Sequence, residues 1–189
     1  MEYIKKAVEN QKICGDGEFT KKCNAWIEEK TKTTKCLLTT SCTHALELAA
    51  LLAGIGEGDE VILPSYTFVS TADAFVLRGA KVVFVDIRPD TMNLDEKLIE
   101  NAITEKTKVL ILAFPNNPTG AVMEREDLEK IAKICVERDI IVISDEIYGE
   151  LTYTGNPHVT IAELPGMQER TVVINGFSKA YAMTGWRLG

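Results

Sequence analysis

Short apolar runs alternate with helix-like segments along most of the chain. The apolar runs predict strands at residues 36–40, 61–63, 81–86, 108–114, 140–145 and 171–175. Segments with apolar residues at helical spacing lie between them, at residues 43–52, 67–78, 94–102 and 124–138. This alternation is typical of an α/β fold, a three-layer sandwich in which helices cover both faces of a mostly parallel sheet.

The segment that precedes the first predicted strand differs from the rest. Residues 1–34 show a helical, amphipathic pattern and contain no strand-like run. The chain has neither internal repeats nor a low-complexity linker. The pattern therefore predicts an N-terminal helical segment, residues 1–34, followed by one α/β domain, residues 35–189.

Polar residues, glycines and prolines cluster directly after the predicted strands. Five such segments are 41–43, 64–68, 116–120, 145–148 and 178–179. In open α/β sheets the carboxyl ends of the strands form the edge where ligands bind. The sequence therefore predicts a ligand site assembled from several strand ends.

The last fifteen residues, NGFSKAYAMTGWRLG at 175–189, resemble the PLP-lysine signature of class I/II aminotransferases, where PLP is pyridoxal 5′-phosphate. The matching residues are Ser178, Lys179, Gly185 and Arg187. The resemblance implies that Lys179 carries PLP as a Schiff base, a reaction that needs a primary amine. It also implies that Arg187 binds the PLP phosphate, for which a guanidinium is well suited.

The end of the fifth predicted strand, ISDEIYG at 143–149, resembles a segment of the same family. The resemblance implies that Asp145 faces the pyridine nitrogen of PLP and keeps it protonated, so that the ring withdraws electrons. It places Tyr148 at the phenolic oxygen of PLP. Taken alone, Asp145 is equally well explained as a helix N-cap after a strand.

A tetrapeptide after the fourth predicted strand, Asn-Pro-Thr-Gly at 117–120, also matches the family. Asn-Pro is a common turn opener, so this motif is weak by itself. The resemblance implies that Asn117 reaches the same phenolic oxygen as Tyr148.

The first half resembles a different branch of PLP fold type I, the nucleotide-sugar aminotransferases. The resemblance rests on segments at 14–19, 39–47 and 64–72 and extends to about residue 107. It implies that Ser41, Cys42 and Thr43, at a predicted helix N-terminus, hold the PLP phosphate. A plain helix cap is the alternative. Phe68 matches the aromatic residue that stacks on the PLP ring, with Tyr66 as its rival and a core aromatic as the alternative.

The two halves therefore resemble different branches, and we hypothesise a chimera joined near Lys108. The chain also stops at Gly189, within the signature. In both branches a returning strand and a C-terminal domain with the substrate-carboxylate arginine follow, so we expect a PLP-transferase large domain that is incomplete at its C-terminus. An incomplete sheet would expose strand edges that are prone to pairing.

These resemblances imply transamination of an amino donor to a keto acceptor, with Lys179, Asp145 and Tyr148 as the catalytic residues. PLP β-lyases share the second-half motifs, so these motifs imply the cofactor and leave β-elimination as an alternative reaction. The alternative is a truncated or chimeric module that binds PLP at most, without turnover. Dinucleotide binding at Gly54, Gly56 and Gly58, with Asp86, is disfavoured because these glycines follow a helix and do not open one.

The composition of this 189-residue chain argues against several classes of partner. The net charge of −7 argues against nucleic acid, which needs a basic surface. We see no apolar run long enough to cross a membrane and no signal peptide, and we expect a cytoplasmic protein. Five irregularly spaced cysteines fit neither a disulfide framework nor a zinc site, and His44 and His158 lack a second ligand at metal spacing. The resemblance implies a homodimer.

Overall fold

Five parallel strands form one sheet in the computed structural model, which describes residues 2–11 and 13–189. The strands are β1 Glu60–Pro64, β2 Lys81–Val85, β3 Thr107–Ala113, β4 Ile141–Asp145 and β5 Thr171–Ile174. Their order across the sheet is β2-β1-β3-β4-β5. The chain therefore crosses from β2 back over β1 to start β3, and the reversal leaves a crevice between the carboxyl ends of β1 and β3.

Six helices accompany the sheet among the described residues. They are α1 Glu2–Glu9, α2 Glu18–Thr31, α3 Cys42–Leu52, α4 Val69–Val76, α5 Ile99–Ala102 and α6 Arg125–Glu137. The predicted helix at 94–102 is shorter than expected, because a 3-10 turn at Glu96–Leu98 precedes the single turn of α5. The other predicted helices of the α/β region agree with the structure within a few residues.

The central strands are buried on both faces, and alternate residues serve two separate cores. On β3, Val109 and Ile111 join the core that includes Leu46 of α3 and Phe75 of α4. The intervening residues of β3 join the opposite core, which includes Leu128 and Ile131 of α6. Because side chains alternate along a strand, one face of the sheet is the α3–α4 face and the other is the α6 face.

The predicted strand at 36–40 is wrong, since these residues form no ladder with any described strand. The amide of Cys36 donates instead to the Glu28 carboxylate at 2.9 Å. Leu37 remains largely exposed. Two adjacent leucines suggest a strand, but a strand needs a neighbouring ladder, and here a side chain satisfies the backbone locally.

The chain divides into two compact units, Met1–Thr39 and Thr40–Gly189. The first contains α1 and α2, so the predicted helical segment at 1–34 forms two helices. Met1 and Lys12, which that prediction included, lie outside the described residues. In this unit Glu18 accepts from Lys22 and from Lys6, which lowers the pKa of its carboxyl to about 2. The second unit contains the whole sheet and every residue of the candidate site.

Candidate active site

A cavity of about 440 Å³ opens at the carboxyl edge of the sheet, inside the Thr40–Gly189 unit. The segments after β1, β3, β4 and β5 form its walls, together with the N-terminus of α3. The lining includes side chains from each of these segments: Cys42, Thr43, Leu46, Tyr66, Thr67, Phe68, Ser70, Thr71, Ala113, Pro115, Asn116, Asn117, Asp145, Ile147, Tyr148 and Lys179. The structure thus brings most of the predicted site residues onto one cavity.

Lys179 lies in the turn that follows β5 and lines the cavity. Its Nζ is 5.4 Å from the centroid of the Tyr148 ring, within the range of a cation–π contact. The side chain is largely exposed, and no acidic partner holds its amine among the salt bridges of the described residues. A primary amine in this position is free to react with a carbonyl compound that enters the cavity.

Tyr148 and Asn117 meet although they follow different strands. The side-chain amide of Asn117 donates to the phenolic oxygen of Tyr148 at 3.0 Å. Because the amide donates to the phenol oxygen, the phenol O–H remains available to donate to another group. The predicted pairing of these two residues at one ligand oxygen is compatible with this geometry.

Asp145 is the last residue of β4 and is partly buried on the α3–α4 face. Its Oδ1 accepts from the Ile147 amide at 3.2 Å, and the Cys42 thiol lies 3.5 Å from Oδ1 and 3.7 Å from Oδ2. Burial is the main cause that raises the pKa of this carboxyl, and the neighbouring Glu146 charge adds to the effect. A cationic N–H donor in the cavity would compensate this carboxylate well.

The N-terminus of α3 faces the same cavity. Ser41 is the N-cap, and its hydroxyl accepts from the His44 amide at 3.1 Å. The alternative interpretation of Ser41 as a helix cap is therefore confirmed. Ser41 is not among the residues that line the cavity. Cys42 and Thr43 do line the cavity, and first-turn amides such as theirs make a helix N-terminus suitable for an anion.

Both candidate stacking rings line the cavity. Phe68, the N-cap residue of α4, is 72% exposed, whereas Tyr66 is 39% exposed. An exposed aromatic ring at a cavity is a suitable platform for a planar ligand. The structure leaves both rings as candidates.

Besides Ser41, the predicted cofactor-binding residues Ser178 and Arg187 are not among those that line the cavity. Ser178 precedes Lys179 in the turn, and Arg187 is exposed and donates to the Thr184 carbonyl at 3.3 Å. The backbone of this segment nevertheless reaches α3, since a Cβ at Gly189 would lie 2.8 Å from the Cys42 nitrogen. The cofactor-binding role of Ser178 and the phosphate role of Arg187 stay predictions.

Sequence reasoning missed a buried polar cluster directly behind the cavity, on the α6 face. Glu146 is 3% exposed, and its carboxylate accepts from Ser144 at 2.8 Å and from Thr160 at 2.6 Å. His158 Nε2 lies 2.8 Å from the other carboxylate oxygen, and its ring packs against Phe114. A signal was available, because strand alternation places Ser144 and Glu146 on the same buried face.

Other predicted features have local explanations in the structure. His44 Nδ1 lies 2.5 Å from the Thr40 hydroxyl. Gly54 and Gly58 adopt positive φ in the loop from α3 to β1, which places them at the amino edge of the sheet, opposite the cavity.

All five cysteines are free thiols. Within residues 2–11 and 13–189 no group of three metal-ligating side chains occurs, and no helix is long and apolar enough to span a bilayer.

A parallel α/β sheet with an amine and a carboxylate on one carboxyl-edge cavity fits the class of PLP-dependent enzymes of fold type I. The particular family follows from sequence. The family model described as aminotransferase class I and II matches residues 6–189, so the chain belongs to this family, whose cofactor is PLP. This single match runs across Lys108, and the comparisons give no support to a join there.

Relatives and solved structures agree with this assignment. An aspartate aminotransferase of Pyrococcus abyssi is 49% identical over 145 residues, which cover 75% of this chain and 37% of that protein. Aromatic-amino-acid aminotransferase 2 of Thermococcus litoralis is 44% identical, covering 81% and 40%. The crystal structure of an aromatic aminotransferase from Pyrococcus horikoshii has a TM-score of 0.76 at 45% identity, covering 81% and 41%. The chain thus spans about 40% of the length of these relatives.

The residues of the cavity fit PLP. Lys179 offers an amine for the aldehyde, and Asp145 offers a carboxylate that lacks a strong donor. The Asn117–Tyr148 pair offers donors for a phenolate oxygen, and the α3 N-terminus offers amides for a phosphate. Each group has the charge and hydrogen-bonding character that the corresponding part of PLP requires.

Proposed function

We propose that this chain forms the cofactor-binding part of an aminotransferase that moves an amino group from a donor to a keto acceptor. The observation that carries the proposal is the convergence of Lys179, Asp145 and Tyr148 on one cavity from two different strand ends. PLP, when bound, supplies an electron-withdrawing ring that stabilises negative charge at the substrate Cα. All other steps belong to residues of the protein.

The residues that would bind the cofactor each contact a different part of it. The Asp145 carboxylate would pair with the ring nitrogen and favour its protonated form. Asn117 and Tyr148 would donate to the phenolic oxygen, and Phe68 or Tyr66 would cover the ring. The first turn of α3, at Ser41, Cys42 and Thr43, would anchor the phosphate, and we propose that Ser178 and Arg187 would complete this anchor.

Lys179 has two roles in the proposed reaction. Its Nζ would hold the cofactor covalently through the aldehyde group. The same Nζ would be placed to take up and return the proton of the substrate Cα. Its contact with the Tyr148 ring supports this role, since it keeps the amine at the cavity.

The relatives suggest two donor classes. One is described as an aspartate aminotransferase and another as an aromatic-amino-acid aminotransferase, so we propose an aspartate or an aromatic amino acid as donor. The alternatives are a β-elimination and a module that binds PLP without turnover. Measuring the amino acid formed from a 2-oxo acid acceptor, together with any ammonia released, separates transfer from elimination, and the absence of any product favours the module.

The decisive experiment is reduction of the protein–PLP complex with borohydride, followed by peptide mass mapping. We expect a visible absorbance band that borohydride removes, and a pyridoxyl group on Lys179. Lys179→Ala should lose both, whereas Lys133→Ala, which alters an exposed lysine of α6, should retain both. A pyridoxyl group spread over several surface lysines in the unaltered protein would contradict the proposal.

Four further expectations remain proposals. We propose a homodimer, supported by exposed apolar side chains on α3 and α4 at Leu51, Leu52, Val69, Val76 and Leu77, and testable by light scattering. The boundary near residue 35 and a cytoplasmic location remain predictions. So does the nucleotide-sugar origin of the first half, which transfer to a nucleotide-linked keto sugar would test.

A further inference from the structure

Cys42 and Asp145 are 103 positions apart in sequence and yet in direct contact. The Cys42 sulfur lies 3.5 Å from Oδ1 and 3.7 Å from Oδ2 of Asp145. The contact arises because Cys42 opens α3 and Asp145 ends β4 on the sheet face that α3 covers. Of the hydrogen bonds formed by described residues, the only one that reaches Oδ2 comes from this thiol.

We propose that Cys42 is a positioning residue of the cofactor site, whose S–H donates to the Asp145 carboxylate and sets both its orientation and its basicity. This inference deepens the proposed function, because it rests on Asp145 being the partner of the cofactor ring nitrogen. Cys42 acts through Asp145 and takes no part in bond making or breaking.

The proton belongs to sulfur in this pair. Burial, followed by the negative charge of Asp145, raises the pKa of the Cys42 thiol well above its ordinary value, while Lys179 lowers it slightly. The thiol is therefore an S–H donor at neutral pH, and its donation opposes the rise that burial causes in the pKa of Asp145. The other charged group beside the pair is Glu146, and Tyr148 lines the same cavity.

A thiol suits this position because it is a weak donor. A strong donor would stabilise the Asp145 carboxylate and reduce its affinity for the proton on the ring nitrogen. Sulfur is also larger than oxygen and lies farther from Cβ. A serine hydroxyl at position 42 would lie beyond ordinary O–H···O distance from Asp145, so Cys42→Ser should lose the contact while keeping a polar side chain.

The first test measures thiol alkylation by iodoacetamide in the protein without PLP, cysteine by cysteine, across alkaline pH. In Asp145→Asn the negative charge is lost, so the pKa of Cys42 falls. Because the thiolate is the reactive form, a shift of one pKa unit makes alkylation about tenfold faster at a given pH. We expect an acceleration of Cys42 between about threefold and tenfold.

Cys135 is the internal control, since burial raises the pKa of its thiol to about 12 without any contribution from Asp145. Its rate should stay unchanged, as should the rates of the exposed Cys14 and Cys23. An unchanged pH profile of Cys42 would overturn the proposal. Equal acceleration of Cys42 and Cys135 would also overturn it, since that result reports loosened packing.

The second test follows the carboxyl pKa of Asp145 by ¹³C NMR in Cys42→Ala and Cys42→Ser. Both variants remove the S–H donor, so both should raise this pKa, and no change in either would overturn the proposal. Failure of the proposed function gives a different result. A missing adduct on Lys179 with intact Cys42–Asp145 coupling would refute aminotransferase chemistry, whereas an adduct without coupling would refute only the role of Cys42.

Discussion

Asp145 and Glu146 are adjacent carboxylates at the end of β4, and the structure treats them in opposite ways. Asp145 faces the α3–α4 side and opens onto the cavity, with one amide and one thiol as its donors. Glu146 faces the α6 side, is almost fully buried, and is contacted by three side chains. One step along the strand therefore separates an undersatisfied carboxylate from a fully satisfied one.

The different surroundings of the two carboxylates indicate different roles. Two of the three side chains that contact Glu146, His158 and Thr160, tie the segment at 158–160 to the end of β4 and so fix the wall of the cavity from behind. Asp145 has donors too weak to compensate its burial, and it keeps capacity for a ligand. Glu146 therefore contributes to the stability of the fold. Asp145 remains able to bind a cation, and its incomplete hydrogen bonding lowers the free energy of unfolding.

Of the replacements considered for these two carboxylates and their partners, removing Glu146 should lower the free energy of unfolding the most. Glu146→Ala leaves His158, Thr160 and Ser144 without their acceptor in a buried site, so the free energy of unfolding should fall by about 3–5 kcal/mol. Urea unfolding measures this change. Glu150→Ala, four positions on and exposed, should change it by less than about 0.5 kcal/mol. Similar losses in the two variants would mean that the buried cluster contributes no special stability.

A smaller loss should follow when one donor of Glu146 is removed. Thr160→Val deletes the hydroxyl that donates to Glu146 and accepts from the Ala162 amide, so the free energy of unfolding should fall by about 1–2 kcal/mol. Thr160→Ser keeps the hydroxyl and should retain most of this stability in the same urea experiment. If the two variants lose equally, the methyl group and not the hydrogen bonds is responsible.

Replacing Asp145 should have the smallest effect and the opposite sign. The folded-state pKa of Asp145 is raised, so the favourable contribution of this group is present below the ordinary aspartate pKa and is lost as pH rises through the folded value. Asp145→Asn lacks the ionised form. It should therefore be more stable than the unaltered protein at neutral pH, by a gain on the order of 1 kcal/mol, as at other functional sites.

The gain should shrink as pH falls through the raised folded-state pKa of Asp145, because the carboxyl is then protonated and carries no charge. Urea unfolding at a series of pH values follows this change, with Asp73→Asn on the exposed side of α4 as a control that should remain flat. A loss of stability at neutral pH in Asp145→Asn would contradict the view that Asp145 is an undersatisfied carboxylate.

Much of the sheet was predictable because buried parallel strands are continuous apolar runs. The predicted strands at 61–63, 81–86, 108–114, 140–145 and 171–175 correspond to β1 to β5. The run at 36–40 failed, since apolar composition cannot report whether a neighbouring strand is present to receive its hydrogen bonds. Helix ends differed by a few residues because caps depend on local geometry.

The candidate site was predictable as a set of strand-end segments but not as a set of contacts. The motifs brought Lys179, Asp145, Asn117 and Tyr148 to one edge of the sheet. Which side chain reaches which partner depends on register and on the face each residue occupies. The Cys42–Asp145 contact and the Glu146–His158 pair therefore emerged only from the structure, as did the orientation of Arg187 towards Thr184.

The strand order has a consequence for how the protein acquires its ligand. The cavity combines segments from both sides of the chain reversal between β1 and β3, and its Cys42–Asp145 contact closes a loop of more than half the chain. We expect contacts this distant in sequence to form late, because the entropy of closing the loop between them must be offset first. During refolding, PLP binding should therefore recover later than the circular dichroism signal of the helices. PLP would then bind only chains whose sheet has already formed, and it would not speed the formation of the sheet.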